Sequence, residues 1–358
     1  MSVGALPEKT KEPILKSSTL VMWAFVTAFF SRILDSVGLP SAVNFLHFAT
    51  IPFVFGVALL KARPKDSAQI KGVYQILTGL FILLIVTTAS GLLNNAGLIN
   101  VVLQYLLLAE PFMLLLALVT IPMAATSVES SRTWIIRFGI LNTALAWIQR
   151  FVLRLHLRRG AEDNIKGVFI GQKAGHVVGG AVALTFGAYF LVAAKDKPLW
   201  MRIAVAVATF VHMMIADAKQ VMAVFAAAFV LLLFTKLKDP AQAIKYLIIV
   251  AIVIYGSVWT FFNVFTTWSE DLALTAEGMK LKWVGFPIII SYFHSPLNWW
   301  LGLGPGHTIG RLGGWMIPSY KDLLEPLGVT TSPASQAVWN AVASSYFGDK
   351  SSMFSPLV

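Results

Sequence analysis

Residues 101–123 read VVLQYLLLAEPFMLLLALVTIPM, a run that carries one charge, Glu110, and no Lys or Arg. About 20 consecutive apolar residues are needed to cross the hydrocarbon of a bilayer, and soluble core helices are shorter and one-sided. The run is therefore a membrane helix. Working outward from it, eight further apolar stretches of comparable length lie at 18–35, 42–60, 76–93, 133–152, 177–194, 200–216, 221–234 and 244–262. The composition agrees, with 57% hydrophobic and 13% charged residues and a mean hydropathy of +0.74, where soluble domains carry about a quarter charged residues. The expected fold class is an all-α polytopic membrane protein of about nine transmembrane helices. Residues 1–17 form a cytoplasmic N-terminal segment, 18–262 the helical membrane domain, and 263–358 a large extracytoplasmic loop.

Lys and Arg in short connections set orientation. With the N-terminus inside, the inner side receives Lys9, Lys11, Lys16, Lys61, Arg63, Lys65, Lys71, Arg132, Lys195, Lys197, Arg202, Lys236, Lys238 and Lys245. The opposite connections 36–41 and 91–100 hold no Lys or Arg. The formal net charge of +11 is then explained by inner loops and anionic headgroups, and implies no nucleic acid. The polar start leads into a full span without a small-residue cleavage site, so no cleavable signal is expected. Cysteine is absent, which removes disulfides and thiolate chemistry.

One outer connection breaks the charge pattern: QRFVLRLHLRRGAEDNIKGVFIGQKAGH, residues 149–176. Arg150, Arg154 and Arg158 recur every four residues, so a helix continuing from the fifth span would present them as one stripe. Guanidinium forks bind phosphate oxygens in pairs and keep their charge in a partly dry site. The bland alternative is an interfacial helix whose arginines reach ordinary headgroups. Gly160, Gly167, Gly171 and Gly175 supply turns, while Glu162 and Asp163 sit among the cations. The next outer turn, HMMIADAKQ, places His212, Asp217 and Lys219 at the junction of two spans, where ionisable residues are functional candidates.

In the tail, 282–293 is apolar but short and interrupted by Pro287, which reads as an interfacial or re-entrant segment. HSPLNWWLGLGPGHTIGRLGGW follows, with Trp299 and Trp300 suited to the headgroup layer and a sharp Gly/Pro turn before His307. His294, His307 and Arg311 are its chemically capable residues. Glu110 beside Pro111 could line a cavity, or be neutral and bonded to backbone opened by the proline. No zinc-like spacing, GxSxG or P-loop occurs, so no metal or cofactor is expected. The closing SSMFSPLV reads as the approach to another apolar segment, and the chain is expected to be a fragment of a longer one.

The basic outer segment leading to EDNIKGVFIGQKAGH, the turn ADAKQ and the tail WWLGLGPGH together resemble the O-antigen polymerase/O-antigen ligase superfamily of bacterial envelope glycosyltransferases. The resemblance covers the chain from about Thr133 onward, and its last motif is similar to the GxGPG element of that family's outer loop. It implies a GT-C-type, metal-independent, inverting glycosyltransferase with about a dozen helices, of which this chain would lack roughly three. It implies an inner-membrane enzyme whose partners are an undecaprenyl-pyrophosphate-linked glycan, the lipid bilayer and a chain-length regulator. Carried over, Arg150 and Arg154 would form one phosphate clamp, with Arg158, Lys219 and Arg311 as further substrate-binding cations. Lys219 stands where ligases often have arginine. Ligases also carry a His-Asn pair before the helix that follows the outer loop, and GDKSSMFSPLV has no histidine. That departure favours polymerase over ligase and leaves the base open between His307, His294 and Asp163. A transporter or flippase of an anionic lipid or solute is the rival from another class, and its cations should lie at mid-membrane near broken helices.

Overall fold

A computed structural model of the chain describes residues 17–61, 67–120, 125–157, 164–170, 175–236 and 272–343, with scattered helical positions between 241 and 255. Among these residues every regular element is helical. Eight helices make the first part: α1 (Ser17–Ser36), α2 (His47–Lys61, after a 3₁₀ turn at Ser41–Phe45), α3 (Ser67–Leu93), α4 (Leu98–Thr120), α5 (Ala125–Trp147), α6 (Gly175–Ala193), α7 (Leu199–Ile215) and α8 (Lys219–Lys236). The tail adds α9 (Leu272–Ser291), α10 (Asn298–Leu301) and α11 (Pro333–Ala343). Five segments are long and apolar enough to cross a membrane: Thr19–Ser36, Ser41–Lys61, Ser67–Leu93, Leu98–Thr120 and Gly175–Ala193. This is a helical protein of membrane-spanning character. α7, at 17 residues, is shorter than these five, and the ninth expected span, 244–262, lies outside the described residues apart from isolated positions.

The helix faces explain the packing. On α4, Ala109, Met113, Leu116 and Ala117 are buried at helical spacing and meet Val21 and Ala24 of α1, Ile51, Val54 and Ala58 of α2, and Leu80 of α3. The opposite positions Phe112, Leu115, Leu118 and Val119 are equally apolar and exposed. A helix apolar on both faces, with one face uncovered by protein, is what lipid as solvent permits. α6 and α7 pack by a different device. Gly187 lets Thr209 of α7 approach where a Cβ would stand, and Gly180 admits Ala218 and Met213. Small residues at a helix interface let backbones close without a hydrophobic drive between the helices. Phe25 and Phe29 of α1 stack on Phe138 of α5, Phe30 meets it edge-on, and together they join the two groups.

The tail docks on one end of this bundle, the end where α1 and α3 finish and α2 and α4 begin. Asn94 of the α3–α4 turn donates to the Gly302 carbonyl (3.1 Å) and accepts from Asn298 (2.8 Å), and Ser90 of α3 donates to the Leu301 carbonyl. Asn100 of α4 donates to the carbonyls of Pro305 and Thr330 and accepts from the Thr330 amide (3.0 Å). These bonds hold the GLGPGH turn, whose Gly302, Gly304 and Gly306 all have positive φ. At Gly306 a side chain would also collide with the Asn100 amide. The sharp turn read in the sequence is thus the tail's attachment point. Of the apolar piece at 282–293, residues 282–291 form the second half of a longer helix, α9, whose Pro287 is accommodated inside it, and Tyr292 and Phe293 follow its end. α9 pairs with α11 around Ile309, Val338 and Val342.

Replacing Gly187 by Leu should overpack the α6–α7 contact and cost about 1–3 kcal/mol. Thermal unfolding of the detergent-purified protein checks this, with Gly56→Leu, at a position with open space around it, as the neutral comparison.

Candidate functional site

Where the tail crosses the bundle end, it roofs a cavity of about 140 Å³. Its walls are Ala28, Ser31 and Arg32 of α1, Asn44, Phe45, His47 and Phe48 at the start of α2, Leu107 and Glu110 of α4, and Arg311, Trp315, Met316 and Tyr320 of the tail. The α1 residues recur at i, i+3 and i+4, which is one helix face. Phe29, one residue on from Ala28 and so about 100° round the helix, turns to Phe138 and Phe169.

The tail reaches the cavity through a wide, π-type turn at Arg311–Met316. Gly313 makes that turn possible, since a Cβ there would strike the carbonyl oxygens of Gly306 and Thr308. Turns of this kind concentrate at functional sites. Leu312, Met316, Ile317, Tyr320 and Leu324 then pack on Leu103 of α4 and on Phe45 and Phe48. Arg311 and Trp315, on the same turn, face the cavity.

Two guanidinium groups meet here from residues 279 positions apart in sequence, Arg32 and Arg311. Arg32 is 9% exposed. Its Nη1 donates to the Tyr320 hydroxyl, and its guanidinium lies 5.4 Å from the Tyr320 ring centre and 5.8 Å from that of Trp315. The phenol oxygen also accepts from Asn44 Nδ2 at 3.2 Å, and the same Nδ2 bonds Asp35 at 2.7 Å. A phenol has two lone pairs, so both donors are satisfied and its own proton is left to give. Arg311 is reachable by solvent yet surrounded by protein atoms, as befits a side chain facing a recess. Burial lowers the affinity of its guanidinium for a proton, the charge of Glu110 opposes that shift, and Arg32 adds to it. It remains a cation at neutral pH.

The counter-charge is Glu110. Its Oε2 lies 2.7 Å from His47 Nδ1, while its Oε1 is buried and has no hydrogen-bond partner among the described residues. The cavity is lined by two guanidinium groups and one carboxyl group, and a second carboxyl group, that of Asp35, stands behind its wall at Asn44. With Glu110 ionised it can only accept, so a neutral His47 places its proton on Nδ1 and keeps Nε2 as an acceptor.

Of the residues singled out from the sequence, Arg311 and Glu110 are brought together here, and the others are not. The expected arginine stripe does not form. α5 ends at Trp147, a wide turn follows at Ile148–Val152, and Arg154 has φ +50°, a conformation no helix contains. The physical reason lies next to Arg150. The buried Gln149 side chain leaves the helix surface to accept from the amides of Lys166 and Gly167 and to donate to the Gly167 carbonyl. Asn142 similarly accepts from the Val168 amide (3.1 Å) and donates to the Gly179 carbonyl. The loop 164–170 is thereby folded back between α5 and α6, with Gly167 at φ +59°. Arg150 is half-buried at its base and Arg154 exposed, and neither lines the cavity. Arg158, Glu162 and Asp163 lie outside the described residues.

Lys219 opens α8 after a turn in which Asp217 has φ +52°. His212 is fully buried in α7, away from the cavity lining. His294 is exposed, with one long contact (3.4 Å) to the Leu93 carbonyl. His307 is 7% exposed and bonds Thr330 Oγ1 at 2.8 Å, and its carbonyl accepts from Ser332. It buttresses the tail attachment and does not line the cavity. Sequence reasoning passed over Arg32, Asn44, His47 and Tyr320. Arg32 and His47 each carried a signal, Arg32 as the one Lys or Arg in its span and His47 as the one ionisable residue in the next, where such groups are functional candidates by default.

No family model matches this chain, and neither a curated protein nor a solved structure matches it.

Two outcomes follow. Tyr320→Phe keeps the ring but removes the acceptor shared by Arg32 and Asn44, and should lower stability by about 1–3 kcal/mol, read by thermal unfolding. Burial lowers the proton affinity of His307 below its ordinary value, opposed by a backbone bond to Leu303. The unfolded chain therefore binds the extra proton first, and stability is lost as pH falls below about 6.5. Melting curves between pH 8 and pH 5 should show this loss, and His307→Gln should flatten it.

Proposed function

We propose that this chain is a membrane glycosyltransferase of the polysaccharide-polymerase kind, acting on undecaprenyl-pyrophosphate-linked repeat units at the outer face of the bacterial inner membrane. The reading adopts the N-in orientation, a nine-span membrane domain and a GT-C-type plan. The observation that carries it is the convergence of Arg32 and Arg311 on one polar cavity beside a His–carboxylate pair. Two forks of this kind suit a pyrophosphate better than a single charge does.

In the proposed reaction an acceptor hydroxyl oxygen attacks the anomeric carbon of the donor sugar. The bond from that carbon to the pyrophosphate oxygen breaks, and its electron pair leaves with the pyrophosphate. Arg32 and Arg311 stabilise the negative charge that develops there, a preorganised electrostatic contribution that water would supply only by reorganising. The hydroxyl proton passes to His47 Nε2, and Glu110 holds the imidazole in the required tautomer and offsets its positive charge. Tyr320 and Asn44 keep Arg32 pointed into the cavity. The base that the sequence left among His307, His294 and Asp163 is assigned to His47. Arg150 and Arg154, which do not line the cavity, are left the role of attracting the carrier's headgroup to the surface. A ligase acting on another acceptor would use the same groups. A chain-length regulator is a further partner of this reading.

The second reading, a transporter of an anionic solute, is favoured by one observation. Glu110 and His47 form a paired, titratable couple within α4 and α2 beside Pro111, an arrangement met in proton-coupled carriers.

Arg32→Gln, Arg311→Gln and His47→Gln should each cut polymerisation by about 10²–10³-fold while the protein still inserts. The readout is envelope glycan on a gel: long chains lost, single repeat units kept. Normal chain lengths in the Arg32 and Arg311 variants would remove the polymerase assignment. Proton-dependent uptake of an anion into vesicles by the wild-type protein would establish the carrier instead.

A further inference from the structure

The tail carries an apolar aromatic face that the cavity does not use. On α9, Leu281, Val284, Ile288 and Ile289 turn toward Ile309 and α11. The opposite stripe, Trp283, Phe286 and Ile290, is uncovered, with Trp283 62% exposed. Trp283 and Phe286 are stacked with centroids 5.3 Å apart. The face continues past the end of α9 into α10, where Trp299 meets Phe293 edge-on and Trp300 is 86% exposed. From Trp283 to Ile290 every residue is apolar or glycine, so the Trp283 indole N–H is the one side-chain hydrogen-bond donor on this stretch and it carries no side-chain acceptor.

The level of this face is fixed by its tether. Ser90 and Asn94 hold Leu301, Gly302 and Asn298 directly at the C-terminal end of α3. Along α3 the exposed residues Phe81, Ile82, Ile85 and Leu92 form the surface that a spanning helix turns to hydrocarbon. α10 therefore sits where that hydrocarbon-facing surface stops, the depth at which indole rings collect in membranes. We propose that the Trp283–Ile290 stripe and the Trp299–Trp300 turn are one lipid-docking face, embedding the tail in the headgroup boundary of the outer leaflet as a monotopic element. The tail is then part of the membrane surface and not a domain in the aqueous space. One consequence concerns the cavity. Ile309, gripped between α9 and α11, has its Cδ1 2.7 Å from the place a Gly285 Cβ would occupy, and Arg311 follows two residues later. The leaflet-held helix and the cavity arginine are one mechanical piece. The proposal needs the membrane orientation but not the glycosyl-transfer reading, and its failure would leave that reading standing.

The chain has no cysteine, which makes site-directed labelling direct. Trp283→Cys, Phe286→Cys and Trp300→Cys, with Lys321→Cys as the solvent-exposed comparison, would be nitroxide-labelled in full-length protein. They would be reconstituted in phosphatidylcholine/phosphatidylglycerol vesicles and read by power-saturation EPR. A several-fold higher ratio of oxygen to nickel-chelate collisions at 283, 286 and 300 than at 321 is expected. Equal ratios would overturn the proposal, and so would dipolar broadening between labels at 283, which would place a second copy of the chain on the stripe. A measurement on the unlabelled protein guards against misfolding of a variant. Lipids brominated near the carbonyl should quench tryptophan emission, and Trp299→Phe with Trp300→Phe should reduce the quenched amplitude. An unchanged amplitude would also overturn it.

Discussion

Holding Arg32 and Arg311 side by side is the constraint on which the rest of the structure turns. Like charges in a recess repel, and the two carboxyl groups beside them are each held by another side chain, Glu110 by His47 and Asp35 by Asn44. The arrangement survives because each guanidinium is fixed by a separate part of the fold. Arg32 is set by α1, by the Tyr320 hydroxyl and by flanking aromatic rings. Arg311 is set by a turn that only Gly313 permits, anchored through the GLGPGH loop to Asn100. Two cations brought to one cavity repel, a cost that an entering anion would offset, which makes the cavity a candidate anion site.

The fold was largely legible. Apolar runs of span length located α1 to α8, though the starts of α3 and α5 lie nine and eight residues before the expected spans, and five of the segments are long and apolar enough to cross a membrane. The GLGPGH turn was legible for a different reason, since its glycines mark a backbone that other residues cannot adopt. The site was legible only in fragments. Glu110 and Arg311 drew attention as charges out of place, but nothing local pairs them. The Arg32–Tyr320 bond joins residues 288 positions apart, and single-sequence periodicity carries no information at that range.

The arginine stripe failed for an instructive reason. Spacing of four places residues on one face only while the helix continues, and the stretch LRLHLRR also alternates with period two. The competing interaction was the side chain of Gln149, which satisfies three backbone groups of the loop 164–170. Buried amides left unpaired cost more than one more helical turn returns, so the loop wins and the stripe breaks. The resemblance to envelope polymerases was carried by three motifs taken together, and it implied a clamp at Arg150 and Arg154 of that segment. With the cations of the cavity supplied by Arg32 and Arg311, the polymerase reading rests on different residues from those that first suggested it.

The measurement that decides between the two clamps is calorimetric titration of inorganic pyrophosphate into the detergent-purified chain, beside Arg32→Gln, Arg311→Gln and Arg150→Gln/Arg154→Gln variants. Binding by the unaltered chain, weakened at least about tenfold by either cavity substitution, a change of roughly 1.4 kcal/mol, and little altered in the Arg150/Arg154 variant, is the expected result. Affinity that survives loss of Arg32 and Arg311 but disappears with Arg150 and Arg154 would contradict it.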